Sequence, residues 1–318
     1  MFSLVRSGAV ALFLALLLAL AAACGDDGDG GITAGTSTPA ATTAAIQYPL
    51  TLTDGKSRSV TLEAEPQRIA SLSPAATEIL FAVGAGDQVA AVDKFSNYPP
   101  EAKTRQQLDA FEPNVEAIAG AQPDLVFVVY DPGNLVDGLT NAGLTVFFLE
   151  TPTSVEGVLD QIRVLGQATG HPQEAEELVT TMEQGISAIE ERLAGVEQGP
   201  RLFHEVDNQL YTVAPDSFVG NLYTILKAQN IAAGTDQAFP QLSQEAIIEK
   251  DPEVIILGDA AGGESAETVK ARPGWGSISA VQSNRIYVID PDIVSRPGPR
   301  LVDALKTLAQ MLYPERFE

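Results

Sequence analysis

The sequence predicts an α/β protein with two α/β lobes, each containing a central, largely parallel sheet, joined by a long rigid helix. Short, uniformly apolar strands alternate with helices in both halves of the chain, which is typical of parallel sheets covered on both faces. A long amphipathic segment separates the halves, and one motif recurs in both. The length of 318 residues agrees with two lobes.

The composition excludes several classes of function. The chain has 19 Lys and Arg against 42 Asp and Glu, a formal net charge of −23, so it lacks the clustered cations that hold a nucleic-acid backbone. A hydrophobic content of 45% fits a globular protein with a substantial core. One cysteine and two histidines permit no intrachain disulfide and leave few ligands for a zinc or copper site.

The N-terminus has the three-part organisation of a secretory signal over residues 1–23. Arg6 precedes an apolar run that is too short to span a membrane, and small residues lead up to Cys24. Because the only cysteine lies at the cleavage position, the segment resembles a bacterial lipoprotein signal, although Ala21 stands where such signals usually have Leu. Two or more acyl chains at Cys24 would anchor the protein stably. An ordinary signal peptide with an incidental cysteine is the alternative.

The remaining chain divides into four predicted parts. Residues 24–45 form a disordered tether, since small and polar residues dominate and no aromatic residue occurs. The N-terminal α/β lobe covers 46–152, bridging helices cover 153–198, and the C-terminal α/β lobe covers 199–318. The mature protein is expected outside the cytoplasmic membrane, in the periplasm if the host has an outer membrane.

The N-terminal lobe is predicted to begin with a small hairpin that turns at Asp54-Gly55. Ser73-Pro74 then marks a helix start and Gly84 a helix end. The predicted strands are Arg68–Leu72, Val89–Val92, Leu125–Val129 and Val146–Leu149, and the predicted helices are Ala75–Val83, Asn114–Ala121 and Leu135–Ala142.

The middle segment has a helical period. Apolar residues from Ala175 to Leu193 recur at steps of three and four, which predicts an amphipathic helix of about 22 residues. A preceding helix ends at Gly170-His171-Pro172, so His171 is a helix-boundary residue without a chemical role. In the second half, the predicted strands are Leu202–Val206, Tyr211–Val213, Val254–Leu257 and Ile286–Ile289, and the helices are Phe218–Ala228, Ser243–Lys250 and Arg300–Leu312.

An internal repeat connects the two halves. Glu116-Ala117-Ile118 precedes Pro123, and Glu245-Ala246-Ile247 precedes Pro252, with seven residues from Glu to Pro in both. Each unit combines a short helix with an acidic first turn, a stop at Pro and a buried strand. The repeat predicts a duplicated lobe and a cleft between the copies, which is where small ligands usually bind.

Several segments in a fixed order resemble the cobalamin/ferric-siderophore class of ABC-transporter solute-binding proteins. They are the run from Arg68 to Phe81, Asn97-Tyr98-Pro99-Pro100, residues 114–126, Asn230-Ile231-Ala232, Leu242 to Glu245 and the loop from Asp292 to Arg300. The resemblance covers about residue 49 to the C-terminus and implies the class III periplasmic-binding-protein fold.

The resemblance also implies the function. A lipid-anchored protein of this class captures a corrinoid (cobalamin) or a ferric-siderophore-type iron chelate and delivers it to an ABC permease dimer with its ATPase subunits. We therefore expect a monomer with no catalytic residue, no resident cofactor and no metal site. Its only bound molecule would be the cargo.

Two kinds of site residue follow from the resemblance. The ligand-binding positions are Phe95, Phe111, Tyr130, Phe239, Asp292 and Arg296. The first three follow strands, at the carboxyl edge where open α/β sheets bind ligands. Glu116 and Glu245 are the docking positions, one on each lobe, which would meet arginines on the two permease subunits. Core packing of the aromatic residues and the helix macrodipole for the glutamates are the alternatives.

The cargo stays open at this point. Phe111 and Tyr130 are offset by one residue from the family's aromatic positions, and Phe stands where Trp or Tyr is usual. An anionic siderophore would require arginines, for which Arg296 with Arg105 or Arg272 would serve. Haem would require an axial Tyr or His, for which Tyr98 and Tyr130 are the candidates, although no haem-type motif surrounds either.

Two other functions are alternatives. One is a lipoprotein that senses a ligand without transporting it. The other is a hydrolase, which is disfavoured because the sequence has no nucleophile elbow and no His-Glu-x-x-His motif. His204, on a predicted strand, is more typical of a core residue than of a metal ligand, and Glu78 is expected to pack or cap locally.

Overall fold

The computed structural model describes residues 46–317. The predicted signal peptide, the predicted acylation site Cys24 and the predicted tether lie outside the described residues. Within residues 46–317, no helix combines the length and apolarity that a membrane crossing requires.

The N-terminal lobe is a five-stranded parallel sheet with an added antiparallel hairpin. The hairpin strands are β1 (Leu50–Thr53) and β2 (Ser59–Leu62). The sheet strands are β3 (Ile69–Leu72), β4 (Val89–Asp93), β5 (Gln106–Leu108), β6 (Leu125–Val128) and β7 (Val146–Phe148), and the helices are α1 (Pro74–Ala82), α2 (Val115–Gly120) and α3 (Leu135–Asn141). The spatial order is β5-β4-β3-β6-β7, and every residue of β3 and β6 is buried.

Two consecutive helices connect the lobes, α4 (Val155–Thr169) and α5 (Pro172–Arg192). Gly170 ends α4 in the left-handed conformation, with φ 84°, and Pro172 occupies the first position of α5. His171 lies at the helix boundary as predicted, with its Nδ1 2.8 Å from the carbonyl oxygen of Thr169. The bridge is therefore a pair of helices. The second, α5, has 21 residues and corresponds to the predicted long helix.

The C-terminal lobe has a four-stranded parallel sheet. Its strands are β8 (Arg201–Glu205), β9 (Gln229–Asn230), β10 (Val254–Leu257) and β11 (Ile286–Val288). The helices are α6 (Phe218–Ile225), α7 (Gln244–Lys250), α8 (Ala266–Lys270), α9 (Ser279–Gln282), α10 (Pro291–Val294) and α11 (Leu301–Leu312). The spatial order is β11-β10-β8-β9.

The predicted strand at Tyr211–Val213 is wrong. Tyr211 makes only an isolated antiparallel bridge to Gln241, and the N–H of Thr212 donates to the carbonyl of Pro240 at 2.9 Å. The segment pairs with a loop instead of a sheet strand, so its apolar residues cover the lobe without extending the sheet.

The predicted duplication is visible in the sheets and in one hydrogen-bond motif. The strand order β4-β3-β6-β7 corresponds to β9-β8-β10-β11. In each lobe, an arginine donates its backbone N–H to an acidic side chain and its Nε–H to the carbonyl two residues before that acid. The three residues are Arg68, Asp124 and Gln122 in the first lobe, at 3.0 and 3.1 Å, and Arg201, Glu253 and Asp251 in the second, at 2.9 and 2.8 Å.

One apolar core extends through both lobes. It includes Ile69 and Phe127 of the first sheet, Leu202 and Ile256 of the second, and the inner faces of α4 and α5 between them. The helix α4 contacts α1 and α6, while α5 contacts α11. The two lobes are therefore joined by a buried core as well as by the chain.

Candidate functional site

Three exposed aromatic rings lie together at the carboxyl edge of the first sheet. Phe95, Phe111 and Tyr130 follow β4, β5 and β6, and 49, 64 and 56% of their surfaces are exposed. The ring centroids are 5.8 Å apart for Phe95 and Phe111, which meet edge to face, and 6.1 Å apart for Phe111 and Tyr130. The structure brings these predicted residues into one surface, while their role in binding stays a prediction.

The buried carboxylate of Asp93 positions two of the aromatic loops. Its Oδ1 accepts the N–H of Phe95 at 2.9 Å, and its Oδ2 accepts the N–H of Ala110 at 3.0 Å, next to Phe111. Asp93 ends β4 and is 1% exposed. Its buried hydrogen bonds therefore fix the backbone of the loops that carry Phe95 and Phe111. A polar residue at the end of an apolar strand was the sequence signal for this role.

The predicted polar pair, Asp292 and Arg296, reaches the aromatic surface from the other lobe. Arg296 Nη2 lies 2.8 Å from Asp292 Oδ1 and donates to the carbonyl of Phe95 at 3.1 Å. Its Nη1 donates to Asn97 Oδ1 at 2.7 Å, and Asn97 Nδ2 donates to Asp292 Oδ2 at 2.8 Å. The two residues therefore pair with each other and also connect the lobes.

Glu78 has a role that the sequence analysis missed. It lies on α1, is 2% exposed, and accepts hydrogen bonds from Arg300 and Arg296 of the C-terminal lobe. The expectation that Glu78 packs or caps locally is wrong, because both partners are distant in sequence. The signal was a carboxylate on an apolar helix with no cation within one turn, which requires a distant partner when it is buried.

Arg300 completes the ionic cluster. Its hydrogen bonds to Glu78 raise its pKa, although burial acts in the opposite direction. The Arg300 guanidinium carbon lies 4.3 Å from the ring centroid of Tyr98, so the cation also makes a cation–π contact with this ring.

Phe239 lines a separate part of the cleft. A cavity of about 240 Å³ in the C-terminal lobe has Phe239 in its wall, and a second cavity of about 240 Å³ is lined by residues of both lobes, including Arg296. The two cavities share Thr151, Pro152, Ser295 and Pro297. Phe239 is 54% exposed, so its ring remains available to a ligand.

The other two candidate arginines already have partners. Arg105 precedes β5, at the edge opposite the aromatic surface, and donates to the carbonyl of Gly86 at 3.0 Å. Arg272 bonds both carboxylate oxygens of Glu205, at 2.5 and 2.6 Å, and also Glu264 at 2.8 Å. Neither side chain provides a free cation to the cleft.

Glu116 and Glu245 occupy equivalent exposed positions in the two lobes. Each lies in the first turn of a short helix, behind the N-caps Asn114 and Ser243, whose side chains accept backbone N–H groups at 2.9 and 3.1 Å. Within residues 46–317, neither glutamate forms an ion pair. Their carboxylates are therefore free to meet cations of another protein, and docking itself stays a prediction.

His204 is a buried residue, as predicted. Its Nδ1 lies 2.7 Å from the hydroxyl oxygen of Tyr223, and burial lowers its pKa to about 4. The part of the chain that the structure describes contains no cluster of three or more His, Cys, Asp or Glu side chains that could hold a metal ion.

Residues 69–293 match the model of the periplasmic binding protein family, and the chain belongs to this family of non-enzymatic transport components. Its two parallel sheets and helical bridge are the class III form of that fold. The family implies an extracytoplasmic location.

Named relatives are similar over most of the chain. An uncharacterized ABC transporter substrate-binding lipoprotein of Bacillus subtilis is 33% identical over 279 residues, which is 85% of this chain and 88% of the relative. A cobalamin-binding protein of Halobacterium salinarum is 30% identical over 280 residues, covering 85 and 75%. The crystal structure of the periplasmic vitamin B12-binding protein of Vibrio cholerae superposes with a TM-score of 0.69 at 26% identity, covering 80 and 99%.

Proposed function

We propose that this protein is the solute-binding lipoprotein of an ABC importer and that it captures a corrinoid in the cleft between its lobes. It delivers the cargo to a permease dimer with ATPase subunits, through Glu116 and Glu245. Acylation at Cys24 retains it on the outer face of the cytoplasmic membrane. The names of the Bacillus and Halobacterium relatives support this function.

The observation that carries the choice of cargo is the absence of free cations beside the aromatic surface. Among the described residues of this region, Arg296 and Arg300 are balanced by Glu78 and Asp292, and Lys94 pairs with Asp109 at 2.5 Å. An anionic iron chelate would have to compete with these carboxylates. A corrinoid presents a flat, largely uncharged ring system, which suits aromatic contact and a few hydrogen bonds.

Calorimetric titration of the purified full-length protein tests this assignment. The titrants are cyanocobalamin, a ferric catecholate siderophore, a ferric hydroxamate siderophore and haemin. We expect saturable one-to-one binding of cyanocobalamin and at least tenfold weaker binding of the other three. Preferred binding of a siderophore or of haemin would refute the corrinoid assignment and would identify the cargo as an iron chelate or haem.

A further inference from the structure

A cluster of charged side chains at the carboxyl edge of the second sheet contains more acidic than basic groups. Glu205 ends β8 and is fully buried, and Asp259 follows Gly258 just beyond the end of β10. Arg272 bonds both oxygens of Glu205 and also Glu264. Glu205, Glu264 and Arg272 are the charged side chains that act on Asp259, so three carboxylates face one guanidinium.

Asp259 has a buried carboxylate without a hydrogen-bond donor. Neither of its side-chain oxygens is accessible to solvent, and neither has a partner within residues 46–317. The N–H of Gly258 donates to the carbonyl of Glu205 at 2.9 Å, and the Asp259 side chain lies within hydrogen-bonding reach of the Glu205 side chain. Two ionised carboxylates repel each other and have no hydrogen to share. One proton would remove the repulsion and supply the missing hydrogen bond.

Arg272 determines which of the two acids carries this proton. Because it donates to both oxygens of Glu205, Glu205 stays ionised, and Asp259 is the group that donates its O–H. Burial raises the pKa of both Asp259 and Glu205, and the charge of Glu264 acts in the same direction, whereas Arg272 opposes the rise. The pair therefore keeps its proton to a higher pH than a free aspartic acid does.

Asp259 is also the side chain that anchors the start of a short loop. Between Gly258 and Glu264 the sequence is Asp-Ala-Ala-Gly-Gly, so no other side chain there is larger than a methyl group. Gly262 and Gly263 are exposed, and a Cβ atom at either position would have no neighbour within 4 Å. Gly258 lines the cavity of about 240 Å³ in the C-terminal lobe, so the loop begins at the wall of the cleft.

We propose that Asp259 and Glu205 share one proton and form a pH-sensitive latch, which holds the loop of residues 259–263 against the second sheet while the proton is bound. When the proton passes to water, the repulsion between the two carboxylates releases Asp259, and Arg272 remains bonded to Glu205. The wall of the cleft at Gly258 then responds to the pH of the extracytoplasmic medium. The latch does not depend on the identity of the cargo.

The fluorescence of Trp275 reports the charge of this cluster. Trp275 is the only tryptophan of the chain, and the Arg272 guanidinium carbon lies 4.5 Å from its ring centroid. In the full-length protein we expect a fluorescence transition with a midpoint above 3.8, the ordinary pKa of Asp, over a pH range in which the circular dichroism stays constant. Asp259→Asn places an amide donor beside Glu205 at every pH, so this variant should lack the transition.

Glu267→Gln is the matched control for the fluorescence titration. It removes an exposed carboxylate from the neighbouring helix α8 and leaves the Asp259–Glu205 pair intact. Its transition should coincide with that of the wild type. A wild type without a transition, or an equal transition in Asp259→Asn, would overturn the proposal.

Hydrogen exchange of the backbone amides of residues 259–265 tests the movement of the loop. The wild type and Asp259→Asn are compared at the same pH, so the intrinsic pH dependence of exchange cancels. Above the fluorescence midpoint we expect these amides to exchange about tenfold faster in the wild type, the effect of one lost hydrogen bond, and below it equally fast in both. A ratio of the two rates that is the same on both sides of the midpoint would refute the latch.

Discussion

Glu78 and Arg300 form a two-point ion pair between the lobes, with Nε 2.8 Å from Oε2 and Nη2 2.6 Å from Oε1. The residues are 222 positions apart, on α1 and immediately before α11. Arg296 adds a third contact, at 3.2 Å from Oε1. One buried carboxylate thus fixes the last loop of the C-terminal lobe against the first helix of the N-terminal lobe.

Replacing Glu78 with Gln should destabilise the protein strongly. The side chain of Glu78 is 1% exposed, and its loss would leave two partly buried guanidinium groups with insufficient negative charge. Breaking a buried ion pair from one side costs about 3 to 5 kcal/mol. Urea denaturation measures the free energy of unfolding, with the exposed Glu101→Gln as control. A loss no larger than that of the control would contradict the role of this cluster.

Truncating the aromatic surface should weaken cargo binding without unfolding the protein. Phe111 is 64% exposed, so Phe111→Ala removes little core packing but deletes the ring between Phe95 and Tyr130. We expect at least a tenfold loss of cyanocobalamin affinity by calorimetry. Phe81→Ala, at the opposite edge beside Arg105, is the comparison variant. Because Phe81 packs against the core, the thermal stability of this variant is measured as well, and the folded protein should bind normally. Equal affinities of the two variants would exclude this surface from the site.

Charge reversal at both docking positions should separate transport from binding. Glu116→Arg with Glu245→Arg is expected to abolish cargo uptake by cells, because the introduced guanidinium groups would repel the cations that the two carboxylates attract. Cargo affinity of the purified protein should stay unchanged. The double reversal of the exposed Glu190 and Glu191 alters net charge equally and serves as control. Normal uptake, or lost affinity, in the Glu116 and Glu245 variant would count against docking through these residues.

His204 should make stability depend on pH. Its folded-state pKa of about 4 lies below the ordinary value of 6.5, so the unfolded chain binds a proton first as the pH falls. The stabilisation is therefore complete above pH 6.5 and is lost between pH 6.5 and 4, by about 3 kcal/mol. Urea midpoints across this range should fall more steeply for the wild type than for His204→Phe/Tyr223→Phe. Parallel curves would disprove this linkage.

The sequence predicts the parts of this fold that local patterns determine. Apolar strands, capped helix starts and the repeated Glu-Ala-Ile unit identify the apolar strands of both sheets. The edge strands β5 and β9 were not predicted, because Gln106–Leu108 and Gln229–Asn230 contain no apolar run. The short helices α8, α9 and α10 were not predicted, since four or five residues are too few for a helical period. Tyr211–Val213 was misassigned because an apolar run does not indicate whether its partner is a strand or a loop.

The sequence predicts which sheet edge carries the candidate site, but it does not predict the ion pairs beside it. Phe95, Phe111 and Tyr130 each follow a strand, and parallel strands place such residues at one edge. The pairing of Glu78 with Arg296 and Arg300 depends on how the lobes meet, which no local pattern encodes. The position of Arg105 was not predicted either. Arg105 precedes β5, so it lies at the sheet edge opposite the aromatic surface.

The apolar core that runs through α4 and α5 has a kinetic consequence. Large relative movement of the lobes would expose side chains such as Phe127 and Leu202 to water. The cleft should therefore have nearly the same shape before and after the cargo binds. Capture should then be a single bimolecular step, with an observed association rate that rises linearly with cargo concentration and reaches no plateau. Dissociation is then the reverse of the same step, and its rate constant is the intercept of that line.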